Sequence, residues 1–128
     1  MRLLLDTHVF LWFDAEPARL SSACEELLKD ESNSFLLSLA SVWEMQIKSQ
    51  TGKLVLRLPL SSLIAEQENN LGLQILPLTL SHVYALQSLP DIHRDPFDRI
   101  MIAQAVVENL PFVSGDSLLE GYPIRRLW

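Results

Sequence analysis

Leu3, Leu4 and Leu5 run without interruption into Asp6 and Thr7. A run this short, apolar at every position, reads as a strand buried on both faces. Such strands belong to parallel sheets with helices on each side. Asp6 then stands where the strand leaves the sheet, and in open parallel sheets ligands bind at that edge. A second run, Phe112-Val113, passes into Ser114-Gly115-Asp116 in the same way. Two parallel strands of this form place both aspartates at one edge.

The rest of the chain alternates helix and strand signals. Thr7–Phe13 reads as a short helix capped by Asp6 or Thr7. Ser21 or Ser22 opens a second helix reaching Asp30, with Glu25 and Glu26 early and Lys29 late. Ser34–Ser38 is a second buried strand. Ser38 or Ser41 caps a helix over Ala40–Ser49, where Ala40, Trp43 and Ile47 follow helical spacing and Gly52 ends the run. Leu60–Leu71 carries a stripe of Leu60, Leu63, Ile64 and Leu71, stopped at Gly72. Leu73–Leu78 is a third strand. Thr79 or Ser81 caps a helix running to about Leu89. Pro96 suits a helix first turn, and the spacing predicts a helix to about Asn109 with Ile100, Met101, Ala103, Ala105 and Val106 buried. One turn at Ser117–Glu120 and an edge strand within Pro123–Trp128 complete the chain. There is no repeat, low-complexity segment or linker. The pattern predicts one three-layer α/β domain over residues 1–128.

The 128 residues, 48% hydrophobic and 20% charged, form an ordinary globular composition. The single cysteine, Cys24, excludes an internal disulfide and fits a reducing compartment, so a cytoplasmic protein is expected. Cys24 itself reads as a core residue of the second helix. No apolar run approaches the roughly 18 residues of a membrane span. Asp6 interrupts the first apolar run too soon for a signal peptide. A net charge of −6 argues against a nucleic-acid partner only where the acids are spread evenly. Setting five clustered acids aside leaves the rest of the 16 nearly balanced by the 10 bases, so nucleic acid is not excluded.

Those five are Asp6, Glu44, Asp95, Asp98 and Asp116. Asp95 and Asp98 flank the start of a helix at a spacing that shares one face. Glu44 lies about two turns beyond the second strand. Carboxylates gathered at one point repel unless a cation neutralises them. An all-oxygen set selects a hard ion such as Mg²⁺ or Mn²⁺, whose chemistry is hydrolysis of phosphodiesters. Each acid also has an ordinary use. Asp6 could cap a helix, Asp95 and Asp98 could favour a helix start, and Asp116 could open a turn. Glu44 could pair with Lys48. Taken together, the acids favour the metal reading. Arg94 and Arg99 bracket the acidic pair, as phosphate ligands or as its local ion partners. His8, His82 and His93 have no zinc-ligand spacing. Trp12, Trp43 and Trp128 read as packing residues. No glycine-rich phosphate loop is present.

Four motifs in order resemble a PIN-domain ribonuclease of the VapC toxin type. They are LLLDTHVFLW, SLASVWEMQIKSQTGKL, HRDPFDRIMIAQA and FVSGDSLLEGYP, together spanning nearly the whole chain. The resemblance implies a parallel sheet of four or five strands flanked by helices. It implies Mg²⁺- or Mn²⁺-dependent cleavage of RNA, commonly transfer or ribosomal RNA. The family carboxylates fall on Asp6, Glu44, Asp98 and Asp116 as catalytic, metal-holding residues. Asp95 is an additional acid of the subgroup, supporting the site with Thr7 and Ser114, and Lys48, Arg94 and Arg99 are placed to meet substrate phosphates. It also implies a small antitoxin partner, expected against the Thr7–Phe13 and Ser21–Asp30 helices, and a homodimer. Two other classes compete. A receiver-type signalling domain needs adjacent acids after its first strand, where this chain has Asp6-Thr7. A non-catalytic PIN-like binding module would have lost acids that are all present here.

Overall fold

In a computed structural model describing residues 1–128, β1 spans Arg2–Leu5 and pairs in parallel with β2, Ser34–Ser38, on one side. On its other side lies β4, Phe112–Val113. β3 (Gln74–Leu76) adds beyond β2, and β5 (Arg126–Leu127) beyond β4. The order is β3-β2-β1-β4-β5, every pair parallel, with β1 central. Leu4 stands opposite Leu36 and Phe112, and Leu5 opposite Leu37 and Val113.

The alternation of strand side chains divides the core in two. Leu3, Leu5, Phe35, Leu37 and Val113 face one side, where α1 (Thr7–Ala15), α2 (Ser22–Lys29) and α4 (Leu60–Asn70) cover them. Leu4, Leu36 and Phe112 face the other, covered by α6 (Pro96–Val107) through Met101, Ile102 and Ala105. α3 (Leu39–Gln50) bridges the layers, giving Ala40 to one core and Met45 to the other. α5 (Leu80–Ala85) packs on α6. Leu3, Leu4 and Leu5 are wholly buried, each contributing roughly 2 kcal/mol of apolar transfer. Cys24 is buried in α2, and burial pushes its thiol up to about 11. No helix is long and apolar enough to cross a membrane.

The caps follow the sequence. Ser21, Ser38, Thr79 and Asp95 each accept from a backbone N–H in the first turn of α2, α3, α5 and α6. α4 ends at Gly72, whose φ of +64° is the left-handed exit that favours glycine. Asn109 takes the same role after α6 with φ +52°, so that helix stops before it.

Several expectations are corrected. β3 is three residues rather than six, because Pro77 cannot donate to a ladder. The helix expected to reach Leu89 ends at Ala85 and tightens into a 3-10 turn over Leu86–Ser88. In α6 Ile100 and Val106 are only half-buried, while Ile102 and Gln104 are fully buried. Trp43 does not pack in the core: it is 59% exposed, edge-on to Phe97 at 5.2 Å. The apolar spacing of Trp43 and Ile47 faces outward, and the buried face of α3 is Ala40, Ser41, Glu44 and Met45. Trp12 and Trp128 do pack, with Trp12 between the Arg19 guanidinium at 4.2 Å and the His8 ring at 4.6 Å.

Candidate active site

The carboxyl edge of the sheet gathers buried polar groups: Asp6, Thr7, Ser38, Ser41, Glu44 and Ser114. Asp6 follows β1, Ser38 ends β2 and Ser114 follows β4, so the parallel strands themselves deliver them. Asp6 serves two ends. One oxygen, Oδ1, accepts from Thr7 N at 2.8 Å and caps α1. The other, Oδ2, accepts from Ser114 Oγ at 2.7 Å and lies 3.5 Å from His8 Nδ1. Burial raises the proton affinity of Asp6 most, and Glu44 adds to it. His8, Ser114 and Thr7 oppose the rise, and the net direction is upward.

Glu44 is held at both oxygens. Thr7 Oγ1 donates to Oε1 at 2.9 Å, and Lys48 Nζ donates to Oε2 at 2.8 Å. Ser41 Oγ lies 2.8 Å from Thr7 Oγ1 and 3.0 Å from Met101 Sδ, tying α1, α3 and α6 together beneath the acids. The hydrogen bond to Glu44 raises the Lys48 ammonium, with Asp95 and Asp98 reinforcing it, so Lys48 belongs to the acid cluster's rim.

Asp95 and Asp98 separate in role. Asp95 is exposed and caps α6, its Oδ1 accepting from Phe97 N at 2.8 Å and Asp98 N at 3.3 Å. Asp98 turns inward. Burial, then repulsion from Asp6, Asp95 and Glu44, pushes it up to about 7, against an opposing pull from His93. Asp116 stands further out. Its Oδ1 accepts from Leu118 N at 3.0 Å, its N–H donates to Ser114 Oγ at 3.0 Å, and His93 Nε2 lies 2.9 Å from its Oδ2. Asp6, Glu44 and Asp98 thus repel one another, whereas Asp116 is linked through Ser114 and His93. No three acid, histidine or cysteine side chains close into a ready-made cage. The donor set is nonetheless all carboxylate oxygen, half-buried or buried, and overcharged, which fits a hard divalent ion.

The expected phosphate ligands divide. Arg94 is exposed and makes no ion pair or hydrogen bond. Arg99 is occupied elsewhere: its guanidinium donates to the carbonyls of Pro90 at 3.0 Å, His93 at 3.2 Å and Leu86 at 3.5 Å. It pins the loop before α6, and neither arginine pairs with Asp95 or Asp98. His8 and His93 join the site only through the fold: His8 Nε2 accepts from Gly115 N at 3.0 Å across 107 residues, and His93 meets Asp116. A Cβ at Gly115 would meet the Trp128 ring at 3.1 Å, so that ring would have to give by a few tenths of an ångström.

The PIN domain family profile matches residues 3–123, nearly the whole chain. The chain belongs to the PIN domain family. This PIN domain is 28% identical over 123 residues to Ribonuclease VapC22 of Mycobacterium tuberculosis, covering 94% of this chain and 91% of that protein. Its fold is similar to that in the Rickettsia felis VapBC2 complex bound to a promoter DNA fragment, with a TM-score of 0.71 and 15% identity. That match covers 99% of this chain and 98% of that one. The DNA-bound VapBC of Salmonella typhimurium aligns at 0.68 with 16% identity, over 99% and 97% of the two chains.

Proposed function

We propose that this PIN domain is a VapC-type toxin, an endoribonuclease dependent on Mg²⁺ or Mn²⁺ and acting on transfer or ribosomal RNA. The observation that carries the reading is the gathering of Asp6 and Glu44, both buried, with the inward-turned Asp98 at the carboxyl edge of a parallel sheet, where burial first and neighbouring acids second push Asp6 and Asp98 upward. The 28% identity to Ribonuclease VapC22 supports the activity. Asp6, Glu44, Asp98 and Asp116 would hold the ion. When bound it supplies a Lewis acid that lowers the pKa of water and stabilises charge on the reacting phosphate.

The chain's own residues prepare that edge. Ser114 and the Thr7 amide fix both oxygens of Asp6, and Thr7 and Lys48 fix both oxygens of Glu44. Fixed donors need no reorganisation when charge develops. Arg94, exposed and uncommitted, would meet an RNA phosphate beside Asp98. Lys48 would shift from Glu44 toward substrate only as charge at the site is neutralised. Attack in line with the 3′ oxygen would leave 5′-phosphate and 3′-hydroxyl ends.

An antitoxin partner is supported by the VapBC complexes that share the fold, and a second copy by the exposed Leu39, Trp43 and Ile47 on α3. The test is cleavage of RNA by the purified chain with Mg²⁺, Mn²⁺ or a chelator, beside Asp6→Asn. Cleavage that needs the ion and disappears in Asp6→Asn is expected. Undiminished metal-dependent cleavage by Asp6→Asn refutes the assignment.

A further inference from the structure

The loop from Leu89 to Asp95 has no regular structure, yet His93 within it is fixed at every polar backbone group. Its N–H donates to Tyr122 Oη at 2.7 Å, and its carbonyl accepts from Arg99 at 3.2 Å. Its ring lies parallel to the Tyr122 ring, 5° apart at 5.8 Å between centroids. Tyr122 is itself buried at 4% exposure, so the platform is rigid.

This clamp presents one atom to the acids. His93 Nε2 is buried and sits 2.9 Å from Asp116 Oδ2, with the N–H turned off the contact line so that no aligned hydrogen bond forms. Asp116 has its other oxygen on Leu118 N. The two oxygens of Asp116 thus face one nitrogen each, Leu118 N and His93 Nε2.

We propose that His93 is a positioning residue, its buried Nε2 facing Asp116 Oδ2 so that Asp116 is presented to the divalent ion in one orientation. This rests on the reading of the carboxylates as a divalent-ion site. His93 acts through Asp116, as outer partners of metal ligands do when they fix a ligand's orientation.

The experiment is Mn²⁺ binding to the full chain without RNA, read by electron paramagnetic resonance, together with the metal-free melting temperature. The proteins are wild type, His93→Ala, His93→Gln and Tyr122→Phe. Binding should weaken roughly 10- to 100-fold in His93→Ala. His93→Gln, whose side-chain amide reaches the place of Nε2, should recover most of it. Tyr122→Phe keeps the stacked ring but frees the loop N–H, and should lose a smaller factor. In cleavage assays, His93→Ala should lower kcat at limiting Mn²⁺, leave KM for RNA unchanged, and regain rate as Mn²⁺ is raised. Wild-type Mn²⁺ affinity in His93→Ala overturns the proposal. So does equal loss of affinity and of metal-free melting temperature in His93→Ala and His93→Gln, which is the signature of a packing role. Should His93→Ala fail to fold, wild-type affinity in Tyr122→Phe with weakened binding in His93→Gln overturns it. A wild-type chain that binds no Mn²⁺ removes the ion-site reading itself, a result distinguishable from failure of His93 alone.

Discussion

The two edges of the sheet use the same residue type in opposite ways. At the amino edge Asp30 follows α2 and is exposed; the Ser32 hydroxyl donates to it at 2.7 Å and the Ser32 amide at 2.9 Å. Those bonds pull its carboxyl below the usual range. At the carboxyl edge Asp6 is buried and Asp98 half-buried among like charges, and both are pushed upward. An acid of the first kind strengthens the fold when ionised, and one of the second kind weakens it. Both edges share the same strands and neighbouring caps, so the difference lies in where burial and repulsion are allowed to accumulate. Accumulated burial and repulsion of that kind make the carboxyl edge the candidate site.

The largest separation of the two edges is in activity. Asp98→Asn should lower metal-dependent RNA cleavage by at least about 100-fold, beyond what loss of a merely supporting group costs. Asp30→Asn should leave it unchanged. Gel assay of cleaved RNA at fixed Mn²⁺ measures both, and equal activity in the two variants would erase the contrast. The next is ligand-linked stability. Mn²⁺ at about 100 times its dissociation constant stabilises by about 2.7 kcal/mol, which for a domain of this size is roughly 5–10 °C in melting temperature. That rise should appear in wild type and Asp30→Asn and be much reduced in Asp98→Asn. An equal rise in all three would place the ion elsewhere.

These contrasts show what the sequence made legible. The leucine run, the serine and threonine caps and the two strand-ending aspartates have local signatures, and the parallel sheet followed from them. Spacing alone leaves Asp95 and Asp98 equivalent, because three residues put both at one helix start, and only the resemblance favours Asp98. In the structure the cap geometry separates them, with Asp95 on the first-turn amides and Asp98 turned inward. Arg99 binds carbonyls, which every residue carries and no motif announces. His8 and His93 meet Gly115 and Asp116 across the fold, at sequence separations that no spacing rule covers. Trp43 shows the limit of periodicity, which reveals an apolar face but not whether this chain covers it.

A smaller effect sharpens the comparison through pH in the absence of metal. Asp98 holds its proton up to about 7 when folded, against an ordinary value of 3.8. The folded chain therefore binds more protons than the unfolded chain between those limits. The stability this contributes is fully present below about pH 4 and is lost as pH rises through 7. Allowing for solvent screening of a half-buried group, the loss is on the order of 1–2 kcal/mol. Denaturant unfolding of wild type should show that decline, and Asp98→Asn should flatten it and be the more stable protein at pH 8. A wild type equally stable at pH 5 and pH 8, with Asp98→Asn unchanged, would mean the carboxyl edge is not strained.

The smallest effect has the opposite sign. Asp30 is held below its ordinary value when folded, so its contribution is present above that value and is lost as pH falls through the lowered one. Asp30→Asn should be slightly less stable than wild type at pH 7 and indistinguishable from it at the acid end of the folded range. The group is exposed and its bonds are local, so the penalty should also survive added salt better than a long-range charge effect would, since Ser32 touches the carboxylate directly. Ser32→Ala should give the same small loss at pH 7, and the double variant should lose no more than either alone, because both changes remove one interaction. A penalty for Asp30→Asn that grows toward acid would put Asp30 with Asp6 and Asp98, and the two edges would no longer differ in kind.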